Sequence, residues 1–478
     1  MLIGSKYTSD DERSSIRFSI RRSPQKHTEH LTYRTESGTH ARGVQIAMTP
    51  TFAVRRREPV LVVPASPTPR ETKRLSDIDS KESLRVLMPG VFVYRGGPAR
   101  GDDDPVDVIG RALSEALVHY YPLAGRFREV EGGKLVVECT GEGVLFAEAD
   151  ADVRLAELEE AAGGGQGLTP PFPCMDELLL DVDCSGGGVL TWPLVVIQAT
   201  RLLCGGFVFG MRINHAMCDA AGVYLFMSAV ADLARGLPAP AVAPSWSRGL
   251  LDAPHTKHDV APPLPFPAHG SDDTVMRSFV FRVADIASLK KRLHVHGAPV
   301  ATTFEVLAAL LWRARTVALA LPAGEVARLG IIASFRRNAA LRLPTGYYGN
   351  ACVPLRASAP ADDMGGSSLG DVVEMIQKAK ATAVHVRSAA DMLALHGPPP
   401  FDSPNMFLLS DLRHVGFHRV DFGWGEPVYG GPSQVHLGGT FFVAVKDGDG
   451  EDAVAVPVML PRTAMGLFAA EIETSLKA

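Results

Sequence analysis

The run Gly205-Gly206-Phe207-Val208-Phe209-Gly210-Met211-Arg212-Ile213-Asn214-His215-Ala216-Met217-Cys218-Asp219 decides how this chain is read. Positions 205–214 alternate and carry branched and aromatic side chains, as a strand does. After Asp219, Val223, Met227, Val230 and Ala234 recur at helical spacing until Gly236. A strand therefore hands over to a helix with a histidine at the junction. Loops at such junctions expose a side chain while the flanking elements hold it rigid.

The same mixture of strand and helix extends on both sides. Residues 59–64 form a short apolar run, read as a buried strand before the Pro67/Pro69 break. Asp104-Pro105 opens a helix, with Asp at the N-cap and Pro at the first helical position. Val106, Ile109, Leu113, Leu117 and Tyr120 then share one face, and the helix stops near Tyr121-Pro122. In the second half, 275–283 alternates like a strand. Thr302-Thr303-Phe304-Glu305 has the form of a capping box opening an apolar helix through Trp312. Between the halves, Pro238, Pro240, Pro244, Pro254, Pro262, Pro263, Pro265 and Pro267 crowd a segment without sustained period, which reads as a connection. At 478 residues the chain suits two domains rather than one core. The expected fold class is α/β, two similar domains of mixed β-sheet with flanking helices. The expected divisions are 1–47 as a disordered extension, 48–236 as the first domain, 237–274 as a crossover and 275–478 as the second domain.

Composition narrows the classes of function. Apolar residues make up 46% and charged residues 21%, the profile of a globular protein, and a net charge of −5 gives no global reason to bind nucleic acid. No apolar run approaches a membrane span, and residue 1 is not followed by a hydrophobic signal core. Cys139, Cys174, Cys184, Cys204, Cys218 and Cys352 lack C-x-x-C spacing, which argues against a zinc site or disulfide framework and for a reducing, cytoplasmic setting. The terminal Ser475-Leu476-Lys477-Ala478 only approximates a peroxisomal address. There is no G-x-x-x-x-G-K-[ST] loop, and Gly163-Gly164-Gly165 precedes no helix signature, so an ATP-dependent route lacks support.

His215 suits proton transfer because an unperturbed imidazole titrates at about 6.5. Asp219, four residues on, invites comparison with a carboxylate that orients a histidine. Cys218 raises a thiol nucleophile as an alternative, although catalytic Cys–His pairs generally meet in space rather than three residues apart in sequence. A second unusual motif, Asp421-Phe422-Gly423-Trp424-Gly425, lies near the C-terminus. Gly423 and Gly425 open backbone geometries closed to other residues, while Phe422 and Trp424 can anchor a turn by burial.

The two motifs, in this order and at this separation, resemble those of the plant BAHD acyltransferases, which use acyl-CoA to acylate alcohols and amines. Further landmarks are similar to that family's alcohol acyltransferase branch: Arg56-Arg57-Glu58-Pro59, Leu75-Ser76-Asp77-Ile78-Asp79, Cys139-Thr140-Gly141-Glu142-Gly143, Pro171-Phe172-Pro173-Cys174 and Ser410-Asp411-Leu412-Arg413. The resemblance runs from Val54 to the C-terminus. It implies a chloramphenicol-acetyltransferase-like pair of domains with a solvent channel between them and His215 at its centre. It also implies that part of 400–425 returns to the first domain.

By this resemblance His215 is the general base, with no covalent acyl-enzyme. Asp219 is structural and pairs with an arginine of the second domain, Arg336 or Arg337. Residues Asp421, Phe422, Gly423, Trp424 and Gly425 maintain architecture, with the Trp424 indole N–H a second candidate contact to the reaction intermediate. Here Ala339, Ala340 and Arg342 interrupt the family's usual proline pair before Leu343-Pro344. The phosphates of CoA call for a local basic patch, for which Lys290, Lys291 and Arg292, with Thr303, Arg336 and Arg337, are the candidates. The implied function is transfer of benzoyl or a similar acyl group from acyl-CoA, as co-substrate, to an alcohol by a monomer with no bound cofactor or metal. N-acylation of an amine or polyamine, and a non-catalytic ligand-binding relative, are the other readings.

Overall fold

The computed structural model describes residues 52–97, 103–162, 167–182, 190, 192–253, 273–295, 300–396 and 405–477. The expected extension 1–47, the glycine run 163–165 and most of the crossover beyond 253 lie outside them.

The first sheet runs in the order Val54–Arg56, Val144–Ala151, Val195–Leu202, Phe207–Asn214, Leu87–Tyr94, Tyr429–Pro432, with Val60–Val62 also paired to Val144–Ala151. Val144–Ala151 and Val195–Leu202 are parallel and their neighbours antiparallel, so the sheet is mixed. The helices Pro105–His119 and Ala220–Ala234 pack together on one face. The first is capped as its sequence demands, with Asp104 accepting from the Val106 N–H at 2.9 Å and Pro105 at the first helical position. Val106, Ile109, Leu113, Leu117 and Tyr120 are all buried, against Phe92, Phe207, Phe209 and Met211 of the sheet.

The second sheet has the order Thr274–Arg282, Asp452–Pro461, Gly439–Lys446, Met406–Asp411, Val326–Ser334, Cys352–Pro360. It too is mixed, with parallel pairs where Met406–Asp411 meets its two neighbours. Helices Thr303–Leu319, Leu369–Ala381 and Arg462–Lys477 cover one face, and the Thr302/Glu305 capping box forms at the start of the first of them. A third apolar cluster fills the space between the sheets, joining Val91, Val93 and Val208 to Phe441, Val443 and Ala455. Both halves are therefore one mixed sheet with helices on the outer face, and the α/β class expected from the alternating patterns is the one observed.

Three readings of the sequence need correction or extension. The run 59–64 is not a buried strand: Val60–Val62 sits at an edge, with Val60 56% exposed, because it pairs on one side only. The proline-rich segment is not featureless where it is described. Ser245 bridges to Tyr347, and a 3-10 turn, Arg248–Leu251, carries a fully buried arginine. The return of the late chain to the first half reaches past 425. Phe417, Val420, Phe422 and Trp424 lie in the first half's core, and Tyr429–Pro432 pairs with Leu87–Tyr94.

Candidate active site

His215 ends the strand Phe207–Asn214, which is in register with Leu87–Tyr94 up to the pair Leu87–Asn214. The turn beyond is tied at each residue. The His215 N–H donates to the Val86 carbonyl at 2.8 Å, the Ala216 N–H to the Asn214 side chain at 3.1 Å, and the Met217 N–H to the Asn214 carbonyl at 2.9 Å. The His215 side chain is half-buried, and among the described residues nothing hydrogen-bonds its buried Nδ1. Among the described residues, no carboxylate holds that nitrogen.

Asp219 faces away from the histidine. Its Oδ1 caps the helix Ala220–Ala234 by accepting from the Ala221 and Gly222 amides, each at 3.1 Å. Its Oδ2 takes Arg336 Nη1 at 2.6 Å, the Ala351 N–H at 3.0 Å and the Cys352 thiol at 3.2 Å. Burial pushes the Asp219 carboxyl up. The Arg336 guanidinium and the surrounding amides outweigh it, and hold the group below the usual carboxylate range. Arg336 also donates to the Gly349 carbonyl, so its guanidinium is engaged inside the protein, whereas the adjacent Arg337 is exposed.

A second strut lies beside the first. Asp79 and Arg248 form an ion pair at 2.6 Å. Arg248 Nη2 donates to the Met217 carbonyl at 2.5 Å, and Asn350 Nδ2 to Asp79 at 2.8 Å and to the His215 carbonyl at 2.7 Å. Burial works to lower the Arg248 pKa, but Asp79 and the neighbouring Tyr347 and Tyr348 reverse it and the net shift is upward. The carbonyls on both sides of Ala216 are thus gripped by side chains from distant parts of the chain. Sequence reasoning missed these residues as parts of the site. Arg248 lay in a segment without period, Asp79 appeared only inside a longer landmark, and Asn350 was not singled out.

Gly222 explains why the helix can approach so closely. A Cβ there would stand 2.1 Å from the Tyr348 carbonyl oxygen. Cys218, next to Asp219, is buried, and burial raises its thiol pKa, the opposite of what a thiolate nucleophile needs. The thiol-nucleophile alternative is therefore set aside.

The late motif is a self-capped turn. Asp421 Oδ1 accepts from the Gly423 N–H at 2.7 Å and the Gly425 N–H at 2.8 Å, and both glycines have positive φ, 108° and 88°. Phe422 packs on Tyr94 and Phe209, and Trp424 packs edge-on to Phe207 at 5.6 Å. Phe207 begins the strand whose far end carries His215. Seven strand steps are about 23 Å, so the Trp424 indole lies far from the histidine and does not meet an intermediate there.

Of the basic candidates, Lys290 Nζ donates to Thr303 Oγ1 at 2.9 Å and Lys291 is exposed beside it. Arg292 instead turns to the Ser475 carbonyl. Among the described residues no His, Cys, Asp and Glu group has metal-binding arrangement, and no helix is long and apolar enough to cross a membrane.

Comparison with known proteins agrees with this architecture. A family model described as the transferase family matches residues 52–475. The chain belongs to this family, the BAHD acyltransferases. It is 43% identical to benzyl alcohol O-benzoyltransferase of Petunia hybrida over 443 residues, 89% of this chain and 94% of that one. It is also 43% identical to (Z)-3-hexen-1-ol acetyltransferase of Arabidopsis thaliana, over 88% of this chain and 94% of that one. Among solved structures, vinorine synthase superposes with a TM-score of 0.70 at 20% identity, over 88% of this chain and 98% of that one. TRI101 of F. sporotrichioides, complexed with coenzyme A and T-2, gives 0.64 at 16% identity, over 84% and 97%. This BAHD protein is an acyltransferase enzyme, and its two-domain fold is shared with these structures.

Proposed function

We propose that this BAHD acyltransferase moves a benzoyl or similar acyl group from acyl-CoA to an alcohol, with His215 as general base and no covalent acyl-enzyme. The observation that carries the reading is the placement of His215. It is half-buried on a turn held by Val86, Asn350 and Arg248, with the neighbouring Asp219 and Cys218 unavailable for chemistry.

In this mechanism the imidazole takes the proton of the acceptor hydroxyl while its oxygen attacks the thioester carbonyl. The tetrahedral intermediate then collapses with cleavage of the C–S bond, and the imidazolium returns the proton to the departing CoA thiolate. The histidine ends as it began, so no other co-reactant is required. A positioned base of this kind contributes roughly 10²–10⁴-fold in rate. Lys290 and Lys291, next to Thr303, are the residues we assign to the CoA phosphates, in a protein acting as a cytoplasmic monomer. Arg336 and Arg292 are assigned to internal support rather than to the ligand.

The experiment is thiol release by the purified protein from Met48 onward. Benzoyl-CoA, acetyl-CoA and p-coumaroyl-CoA are each paired with benzyl alcohol, a short aliphatic alcohol and spermidine, with His215→Ala as control. Histidine-dependent release with an alcohol is the expected result. Release with spermidine alone moves the function to N-acylation, and histidine-independent release overturns the mechanism.

A further inference from the structure

A cavity of about 240 Å³ opens between the two sheets, and one of its walls is a loop. Pro171, Phe172 and Met175 line it together with Met276 and Met459 of the second sheet. Loops normally run over the surface, because a buried one carries backbone polar groups that nothing satisfies. The segment 167–180 instead passes between the sheets, with Leu168, Phe172, Met175, Leu178 and Leu179 buried in the cluster that joins them.

Side chains of both sheets make this burial possible. At the start of the segment, the Ser278 hydroxyl of the second sheet donates to the Pro170 carbonyl. Gly167 lies so near the Lys446 carbonyl that a Cβ would stand 2.2 Å from its oxygen. At the other end the donors come from the first sheet. Arg56 Nη2 donates to the Asp176 carbonyl at 2.8 Å and to the Glu177 carbonyl at 2.7 Å, and Gln198 Nε2 donates to the same Glu177 carbonyl at 2.8 Å. Arg56 Nε in turn holds Gln198 Oε1 at 2.8 Å, and Arg212 Nε reaches the Leu180 carbonyl at 3.1 Å. Burial pulls the Arg56 pKa down and outweighs the carboxylates of Glu177, Asp176 and Asp181, as expected of a guanidinium in a largely dry site.

The segment is thus a strap, with one end fastened to each sheet and Phe172 and Met175 between the fastenings. Phe172 packs edge-on to Tyr429 at 4.9 Å, on the strand paired with Leu87–Tyr94. The same stretch of chain leads to the catalytic turn. The N–H of Ser433, which lines the cavity, donates to the Pro89 carbonyl at 3.3 Å, and the His215 N–H to the Val86 carbonyl at 2.8 Å. Three extended residues, about 10 Å, separate those two positions. We propose that Arg56 is a positioning residue that sets the size of molecule admitted beside the catalytic turn. Its clamp on the Asp176 and Glu177 carbonyls holds the strap against the first sheet, and the strap holds Phe172 and Met175 in the cavity wall. Without the clamp the wall yields and larger molecules enter.

Two measurements test this without turnover, so the result stands apart from the O-acyl transfer reading. Hydrogen exchange followed by mass spectrometry compares wild type with Arg56→Met, which keeps an apolar stem and removes the donors. Exchange across 167–180 is expected to speed up about tenfold or more, with the helix Ala220–Ala234 within about twofold of wild type. Phenol and 4-phenylphenol, probes of one and two rings, are then titrated and followed by NMR on the methionine methyls, of which Met175, Met276 and Met459 line the cavity. Relative to phenol, the variant is expected to bind 4-phenylphenol about tenfold better than wild type does, the scale of pocket discrimination. Arg56→Lys, whose ammonium still has donors for both carbonyls, is expected to return both readouts most of the way to wild type. Gln198→Leu, which removes the second donor to the Glu177 carbonyl, is read in the same way if Arg56→Met does not fold. Unchanged exchange in 167–180, or an equal rise in both halves, overturns the inference. So does a probe ratio equal to that of wild type, or no binding of either probe at those methyls.

Discussion

Asp79 and Arg248 meet at 2.6 Å with both side chains essentially inaccessible, and the arginine uses a second nitrogen to hold the carbonyl of Met217. The pair comes from the start of the first half and from the connection between the halves, and it fastens both to the turn bearing His215. Removing one partner of a buried ion pair leaves an uncompensated charge and costs about 3–5 kcal/mol. Arg248→Met is therefore expected to lower the unfolding free energy by that amount and to reduce kcat by loosening the turn. Denaturant unfolding monitored beside turnover checks both. The double variant Asp79→Leu/Arg248→Met is expected to regain part of the stability, since neither charge remains buried, but not the activity. Full recovery of kcat in the double variant would show that the strut does not position the histidine.

His215 contributes little to the packing around it, because its imidazole is half-buried and its Nδ1 bonds to nothing described. Its backbone, not its side chain, makes the contacts with Val86 and Asn350. His215→Ala is accordingly expected to reduce kcat at least about a hundredfold, with a melting temperature close to wild type. Single-turnover acylation with calorimetry on the same preparation separates the two effects. Wild-type turnover in the variant would end the general-base mechanism.

The elements that carry His215 were legible because their signals are local. Alternation up to Asn214, helical spacing after Asp219 and the Asp104-Pro105 cap each depend on a few adjacent residues, and each element formed as read. The choice between Arg336 and Arg337 was not legible, since adjacent residues differ only in which way the turn points them. Arg248 was hidden for a stronger reason. Its segment has no period, because a chain crossing between two domains is fixed by contacts with Asp79, Met217 and the Trp246, Tyr347 and Tyr348 rings rather than by its own repeat. Val60 and Leu61 misled in the opposite direction: apolar residues on an edge strand look like core until the missing neighbour is seen.

Asp219 makes stability depend on pH with a definite sign. An unfolded aspartate titrates near about 3.9, and the folded group lies below its usual range because Arg336 and the amides favour the carboxylate. The folded state thus binds this proton less readily than the unfolded state. The stabilisation is fully present above about pH 4 and is lost as pH falls from the unfolded value through the lower folded one. Asp219→Asn, which keeps much of the helix cap, is expected to be less stable than wild type at pH 7 and to show a shallower loss of stability on acidification. Unfolding free energies between pH 3 and pH 7, a window set by the ordinary carboxyl value of about 3.9, check this. Parallel acid limbs in the two proteins would remove Asp219 as the source.

Lys290 tests the donor side independently of the histidine. Its ammonium rests on Thr303 Oγ1 at the start of the helix Thr303–Leu319, where the first-turn amides already favour an anion, and Lys291 adds a second exposed cation. A phosphate bound there gains from both charges and from the helix end, but the partial exposure leaves it open to screening by salt. Lys290→Ala is therefore expected to raise the KM for acyl-CoA several-fold while leaving the alcohol KM and the kcat at saturation unchanged. The wild-type KM for acyl-CoA should rise with ionic strength, and that dependence should flatten in the variant. Initial rates with acyl-CoA varied at fixed saturating alcohol, repeated across salt concentrations, supply the measurement. An unchanged acyl-CoA KM in Lys290→Ala would place the phosphates elsewhere, and the search would pass to the other cations on the second half's surface.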